Sequence, residues 1–184
     1  MEFVWRLDVW RFKSVSVTLE KLNASDRAAF TAALGHLFEH SPWVAEQTWA
    51  KRPFADAAAL HAALCATMRA APRDQQLALI RAHPDLAGRL AQQKKLTAES
   101  TREQASAGLD QLTDAELAAF TAQNDTYTAK FGFPFIICAR LNAKASIIAA
   151  MQARVGNAAD AEFATALGEI EKIAWLRLQD ALKP

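Results

Sequence analysis

Histidine is the side chain best placed to move a proton near neutral pH. Of the four in this chain, His83 has the most informative surroundings. It stands in Arg81-Ala-His-Pro-Asp-Leu86 between two helical stretches, and Pro84 disfavours helical backbone at the residue before it. An extended His83 can aim its imidazole into a cleft at the start of the next element. It can equally serve as a cap for a helix entered at Pro84. Glu103 offers a carboxylate, but Ser100-Thr-Arg-Glu103 also has the spacing of a capping box, which would explain it without chemistry. Arg177 falls within the apolar stripe of Phe163, Leu167, Ile170, Ala174, Leu178 and Ala181. A guanidinium aimed at a core must be paired, because an isolated buried charge is too costly. Its partner can be a protein carboxylate such as Glu103, or a ligand.

Two further patterns carry possible chemistry. His36-Leu-Phe-Glu39-His40 fits H-x-x-E-H, and on a helix the two histidines would share a face as zinc ligands do. No third ligand follows on a downstream helix, so no metal is expected. His61 lies in an alanine-rich helix and offers only packing or solvation. In Phe131-Gly-Phe-Pro-Phe-Ile-Ile-Cys138, Gly132 permits a left-handed helix end and Pro134 suits the first turn of a new helix. The first-turn amides of Phe135, Ile136 and Ile137 would then face a carbonyl or anionic oxygen. The competing reading is a tight corner packed into the core.

The elements that must position these groups read as helices throughout. Gly and Pro number six each among 184 residues, and alanine abounds, which favours helix. Asn23 or Ser25 can cap a helix reaching about Glu39, and Ser41-Pro42 opens a second that ends before Pro53. Leu60, Leu64 and Met68 make 56–71 amphipathic. Helices follow over 73–82, from Asp85 to about Lys94, and from Thr97 to Gly108. Thr113-Asp-Ala-Glu116 is a capping box for a long helix to about Lys130. Residues 143–154 form another, Gly156-Asn157 breaks it, and the last runs from about Ala158 to Leu182. Along that last helix Glu162, Glu169, Lys172 and Asp180 are expected to point away from the apolar stripe. The expectation is an all-α fold, one compact domain of about eight or nine helices over 18–184. Residues 1–17, with Trp5 and Trp10 and little alanine, read as a non-essential extension.

A formal net charge of +1 with scattered Lys and Arg argues against nucleic acid, which needs a concentrated basic face. Cys65 and Cys138 lack metal-ligand spacing and read as buried free thiols in a reducing cytoplasm. The apolar run around 131–139 is too short to span a membrane, and the first residues have no signal-peptide core.

Taken together, Ser41-Pro-Trp-Val-Ala-Glu46, Arg52-Pro-Phe54, His83-Pro-Asp-Leu-Ala-Gly88, Leu96-Thr-Ala-Glu-Ser100 and Glu103-Gln104 form an ordered set. The set continues through Ala107-Gly-Leu109, Asn124-x-x-Tyr127, Lys130-Phe-Gly-Phe-Pro-Phe-Ile136 and Lys172-Ile-Ala-x-x-Arg177-Leu178. In order and spacing these segments resemble the OHCU (2-oxo-4-hydroxy-4-carboxy-5-ureidoimidazoline) decarboxylases over roughly residues 18–182. The resemblance implies an all-α homodimer, active without metal or organic cofactor, that yields (S)-allantoin from its ureidoimidazoline substrate. It implies an active site of His83, Glu103 and Arg177 with Pro84, Ser100 and Gln104. Backbone groups of Phe131, Gly132, Phe133, Phe135, Ile136 and Ile137 would contact substrate oxygens. On this reading His83, oriented by Glu103 or the substrate hydroxyl, moves the proton, and Arg177 and Gln104 hold polar groups of the substrate. A non-catalytic helical ligand-binding or dimerisation module is the alternative, with His83, Glu103 and Arg177 as one buried network. A metal hydrolase through His36 and His40 is a distant third.

Overall fold

A computed structural model describes residues 17–88 and 96–182. Among these it contains nine α-helices and no strand. They are α1 (Leu19–Ala24), α2 (Arg27–Leu34), α3 (Trp43–Thr48), α4 (Ala57–Ala70), α5 (Arg73–Ala82), α6 (Ala98–Ser106), α7 (Asp114–Phe131), α8 (Lys144–Arg154) and α9 (Ala159–Ala181). Short 3-10 turns lie at Trp49–Lys51 and Ala139–Leu141. No helix among the described residues is long and apolar enough to cross a membrane. The expected extension falls almost wholly outside the described residues, as does most of the helix expected from Asp85 to Lys94. The described part of that stretch, 85–88, is a turn with Ala87 at φ 51° rather than helix.

Polar side chains set most helix starts by accepting first-turn amides that have no intrahelical partner. Thr18, Asp26, Asp56 and Thr97 cap α1, α2, α4 and α6 in this way. Thr113 and Glu116 form the expected reciprocal capping box at α7, and Gly132 ends that helix at φ 73°. Neither Asn23 nor Ser25 begins a helix, contrary to the sequence reading: Asn23 lies in the last turn of α1 and Ser25 is its C-terminal cap. The Asn23 amide instead clamps the backbone of Phe54 through two hydrogen bonds of 2.9 Å. Arg52 donates to Asn23 O and Ser25 O at 2.8 and 2.6 Å, so the Arg52-Pro-Phe54 segment is a tie between the α1–α2 turn and the start of α4.

The long α9 is the pillar of the molecule, packed against α2, α4 and α5. Its expected stripe is buried from Phe163 through Leu178, and Ala166 and Ile173 widen it. Truncating a fully buried leucine here, such as Leu178, would cost about 2–5 kcal/mol and loosen the turn that carries Arg177. One expectation about this helix fails. Glu162 is fully buried, held by Arg154 at 2.5–2.9 Å, by Asn157 Nδ2 at 2.7 Å and by the hydroxyl of Tyr127. The helix is covered on more than one side, so a position off the main stripe is still interior. Burial and the adjacent Glu162 push the Tyr127 hydroxyl well above its ordinary pKa.

Candidate active site

The α2 helix ends at Leu34, and the chain turns through Gly35–Ser41 with His40 at φ 45°. His36 and His40 therefore share no helical face, and the H-x-x-E-H reading loses its geometry. The residue between them turns inward instead. Glu39 is 4% exposed and meets α6 and α9.

Glu39, Glu103 and Arg177 converge. Arg177 donates Nε to Glu103 Oε1 at 2.8 Å and Nη2 to Oε2 at 2.7 Å, a two-pronged pair. Its Nη1 reaches Glu39 Oε2 at 3.0 Å. Glu39 also accepts from Thr97 Oγ1 at 3.0 Å and Ser100 Oγ at 3.2 Å. Burial works against the charge on Glu39, but Arg177, His83 and these hydrogen bonds together hold its pKa below the ordinary carboxylate value. Burial likewise opposes the charge on Arg177, and the two carboxylates outweigh it. Of the two readings of Glu103, the capping box at Ser100 does not form and the pairing with Arg177 does. Thr97 takes the cap, which places Ser100 in the first turn and releases Glu103 toward Arg177.

His83 caps the end of α5 in the extended conformation that Pro84 imposes, at φ −74° and ψ 138°. Its Nδ1 lies 2.9 Å from the carbonyl of Leu79. A carbonyl can only accept, so Nδ1 carries the proton and Nε2 is the bare nitrogen. Nε2 is buried and has no hydrogen-bond partner among the described residues. Burial lowers the His83 pKa, against the Leu79 hydrogen bond and the nearby Glu39 and Glu103, which raise it. The imidazole is thus a neutral base at neutral pH. Its Nδ1 side is oriented by the Leu79 carbonyl; of the two partners the sequence suggested, Glu103 and the substrate hydroxyl, Glu103 makes no hydrogen bond to it among the described residues.

His83, Glu103 and Arg177 open onto one narrow cleft, with a cavity volume of about 40 Å³; Glu39 lies behind it. His83, Pro84, Ser100, Glu103, Gln104 and Arg177 form its polar side, and Leu86, Phe135, Ile136, Ile137, Ala139 and Ile173 its apolar wall. Gln104 pins the turn after His83, accepting from Ala87 N–H at 2.9 Å, and Asn124 holds Leu86 O at 2.9 Å. No helix starts at Pro134; residues 134–138 form no regular element. Every residue from Phe133 to Ala139 is buried, so the segment reads as the tight corner packed into the core that the sequence offered as the competing reading. Its backbone is satisfied from outside, by Arg154 at Ile136 O and Glu169 at Cys138 N–H, both at 2.8 Å. Phe131, Gly132 and Phe133 do not line the cleft. The two phenylalanines join an aromatic cluster with Tyr127, and Gly132 O accepts from Arg81.

Glu39 and Asn124 are the site-forming residues that sequence reasoning did not assign. The signal for Glu39 was Arg177 itself. A buried guanidinium has five donors, more than one carboxylate can satisfy. The thiols of Cys65 and Cys138 are free, and burial pushes them up to about 12 and about 11, so neither is a nucleophile at neutral pH.

The sequence model of the OHCU decarboxylase family matches residues 23–179. The 2-oxo-4-hydroxy-4-carboxy-5-ureidoimidazoline decarboxylase of Halalkalicoccus jeotgali is 44% identical over 168 residues, covering 91% of this chain and 93% of that protein. The protein of the same name from Mus musculus is 40% identical, covering 88% and 91%. Among solved structures, that of an (S)-allantoin synthase superposes with a TM-score of 0.72 at 33% identity over 91% of this chain; the match spans about half, 54%, of that longer chain. An OHCU decarboxylase solved in the presence of (S)-allantoin gives a TM-score of 0.64 at 21% identity, covering 86% and 99%, a likeness of fold.

Proposed function

The chain belongs to the OHCU decarboxylase family, and we infer that it decarboxylates 2-oxo-4-hydroxy-4-carboxy-5-ureidoimidazoline to (S)-allantoin and CO2, a late step of urate breakdown. The observation that carries its chemistry is the bare, unpartnered Nε2 of His83 in a cleft shared with Glu103 and Arg177.

In this reaction the bond between the ring carbon and the carboxylate breaks, and its electron pair passes into the conjugated ring of the substrate. The pair must end as a C–H bond. His83 Nε2 takes the proton of the substrate hydroxyl and returns a proton to ring carbon from one face, which makes the product single-handed. The anionic substrate consumes one proton overall, drawn from water. Glu103, held by Arg177, supplies a fixed acceptor beside the reacting groups. Phe135, Ile136, Ile137 and Ile173 exclude water and keep the local dielectric low. Pro84, Ser100 and Gln104 shape the polar side.

The same reading carries a homodimer, a dispensable segment 1–17 and a cytoplasmic setting. The family resemblance supports the dimer, and the family match starting at residue 23 supports the second. Two free thiols suit a reducing compartment. The functional test is stereochemical. Substrate generated in situ from urate by urate oxidase and hydroxyisourate hydrolase should give a single-handed allantoin signal in circular dichroism when this protein is added.

A further inference from the structure

Arg177 has five N–H donors, and each has an acceptor in the protein. Nε and one Nη2 proton go to Glu103. Nη1 goes to Glu39 at 3.0 Å and toward the His36 carbonyl at 3.3 Å, and Nη2 also reaches Ser100 Oγ at 3.4 Å. The two carboxylates differ in setting. The side chain of Glu39 is 3% exposed and that of Glu103 13%, so Glu39 lies behind the guanidinium and Glu103 toward the cleft.

We propose that Glu39 is a positioning residue of the active site: from behind, it holds the edge of Arg177 that Glu103 leaves open, so that the guanidinium presents Glu103 to the cleft. The proposal rests on the decarboxylase reading. Without Glu39 the Nη1 side of a buried guanidinium would lose its carboxylate, and the fork that aligns Glu103 would be free to turn. Glu39 keeps the donors of Arg177 directed at Glu103. It also sets the field at the base. Among the described residues, the charges acting most on His83 are Glu39, Arg177 and Glu103, and of the two carboxylates Glu39 has the larger effect.

The test compares full-length wild type, Glu39→Gln and Glu39→Asp in steady-state and pH–rate measurements with substrate generated in situ. Glu39→Gln is expected to lower kcat about 10- to 100-fold by misplacing the reacting groups. KM should change little, because Gln keeps an acceptor for Nη1 on the side away from the cleft. The acid limb of the profile should move to lower pH, because a charge favouring protonated His83 is gone. Glu39→Asp keeps the charge but is one methylene short; its acid limb should stay in place while kcat drops. A structural role would lower the amount of active protein and leave both kcat per folded molecule and the limb unmoved. The proposal is overturned by Glu39→Gln with wild-type kcat, or with lost activity at an unchanged acid limb. If Glu39→Gln does not fold, Glu39→Asp decides: reduced kcat with the limb in place supports the proposal, and wild-type kcat overturns it. Wild-type protein that forms no single-handed allantoin would overturn the decarboxylase reading itself, a separate failure.

Discussion

His83 donates its Nδ1 proton to the carbonyl of Leu79 at 2.9 Å, and that bond leaves Nε2 as the nitrogen able to accept a proton. Leu79 sits one turn earlier on α5, so the tautomer is set by the helix that carries the base. The bond is independent of the carboxylates in the cleft.

Replacing this base should therefore remove chemistry and keep the fold. His83→Asn is expected to lose at least about 100-fold in kcat while retaining the wild-type far-ultraviolet spectrum. Turnover close to wild type would remove His83 from the proton path.

The pH dependence of stability follows from the direction of the His83 shift. Its folded pKa lies below the ordinary 6.5, so the unfolded chain binds more protons below that value. Its contribution to stability is whole above about pH 6.5 and is lost as pH falls toward the folded pKa. Glu39 acts in a lower window, because its folded pKa lies below the ordinary 4.5; its contribution is lost as pH falls below that value. Thermal melts should thus decline in two stages on acidification. His83→Asn should flatten the first stage, though His36, which burial also lowers, retains part of it. Equal slopes between pH 7 and 5.5 for variant and wild type would contradict this.

Arg177 joins the site to the core, so its variants should lose both activity and stability. Arg177→Met leaves Glu39 and Glu103 without their cation and should cost about 3–5 kcal/mol in chemical denaturation. Arg177→Lys keeps a charge but lacks the planar fork that matches Glu103, so it should fold better than Arg177→Met and still turn over poorly. Equal activity of the lysine variant and wild type would show that the two-pronged geometry is not needed.

The second buried network is the contrast. Glu162 bonds Arg154, Asn157 and Tyr127 and does not line the cleft. Glu162→Ala should destabilise the protein by about 3 kcal/mol and leave kcat per folded molecule unchanged. A kcat loss beyond a few-fold would tie this network to the reaction, through the Arg154 bond to Ile136 O.

The sequence was most legible where local chemistry decides structure. The Thr113–Glu116 box, the left-handed Gly132 and the extended His83 before Pro84 depend on neighbours in the chain, and all three formed as expected. The all-α class followed for the same reason. Distant pairings were only partly legible. The place of Arg177 in the apolar stripe required a partner and made Glu103 a candidate, and the pair forms across 74 residues. Glu39, within an H-x-x-E-H pattern, was taken by Arg177 at a separation of 138 residues. Pro134 did not open a helix: the run from Phe133 is buried throughout and irregular until the 3-10 turn at Ala139. Glu162 lay off the apolar stripe and was buried regardless, since α9 is surrounded.

The most direct test of the account is the handedness of the product. The presumed substrate decays unaided to racemic allantoin, so disappearance of substrate alone is uninformative. Circular dichroism during in situ generation of the ureidoimidazoline should show rapid growth of the (S)-allantoin signal with wild type, and a slow, optically silent decay with His83→Asn. A silent decay with folded wild type, indistinguishable from the control without protein, would contradict the account.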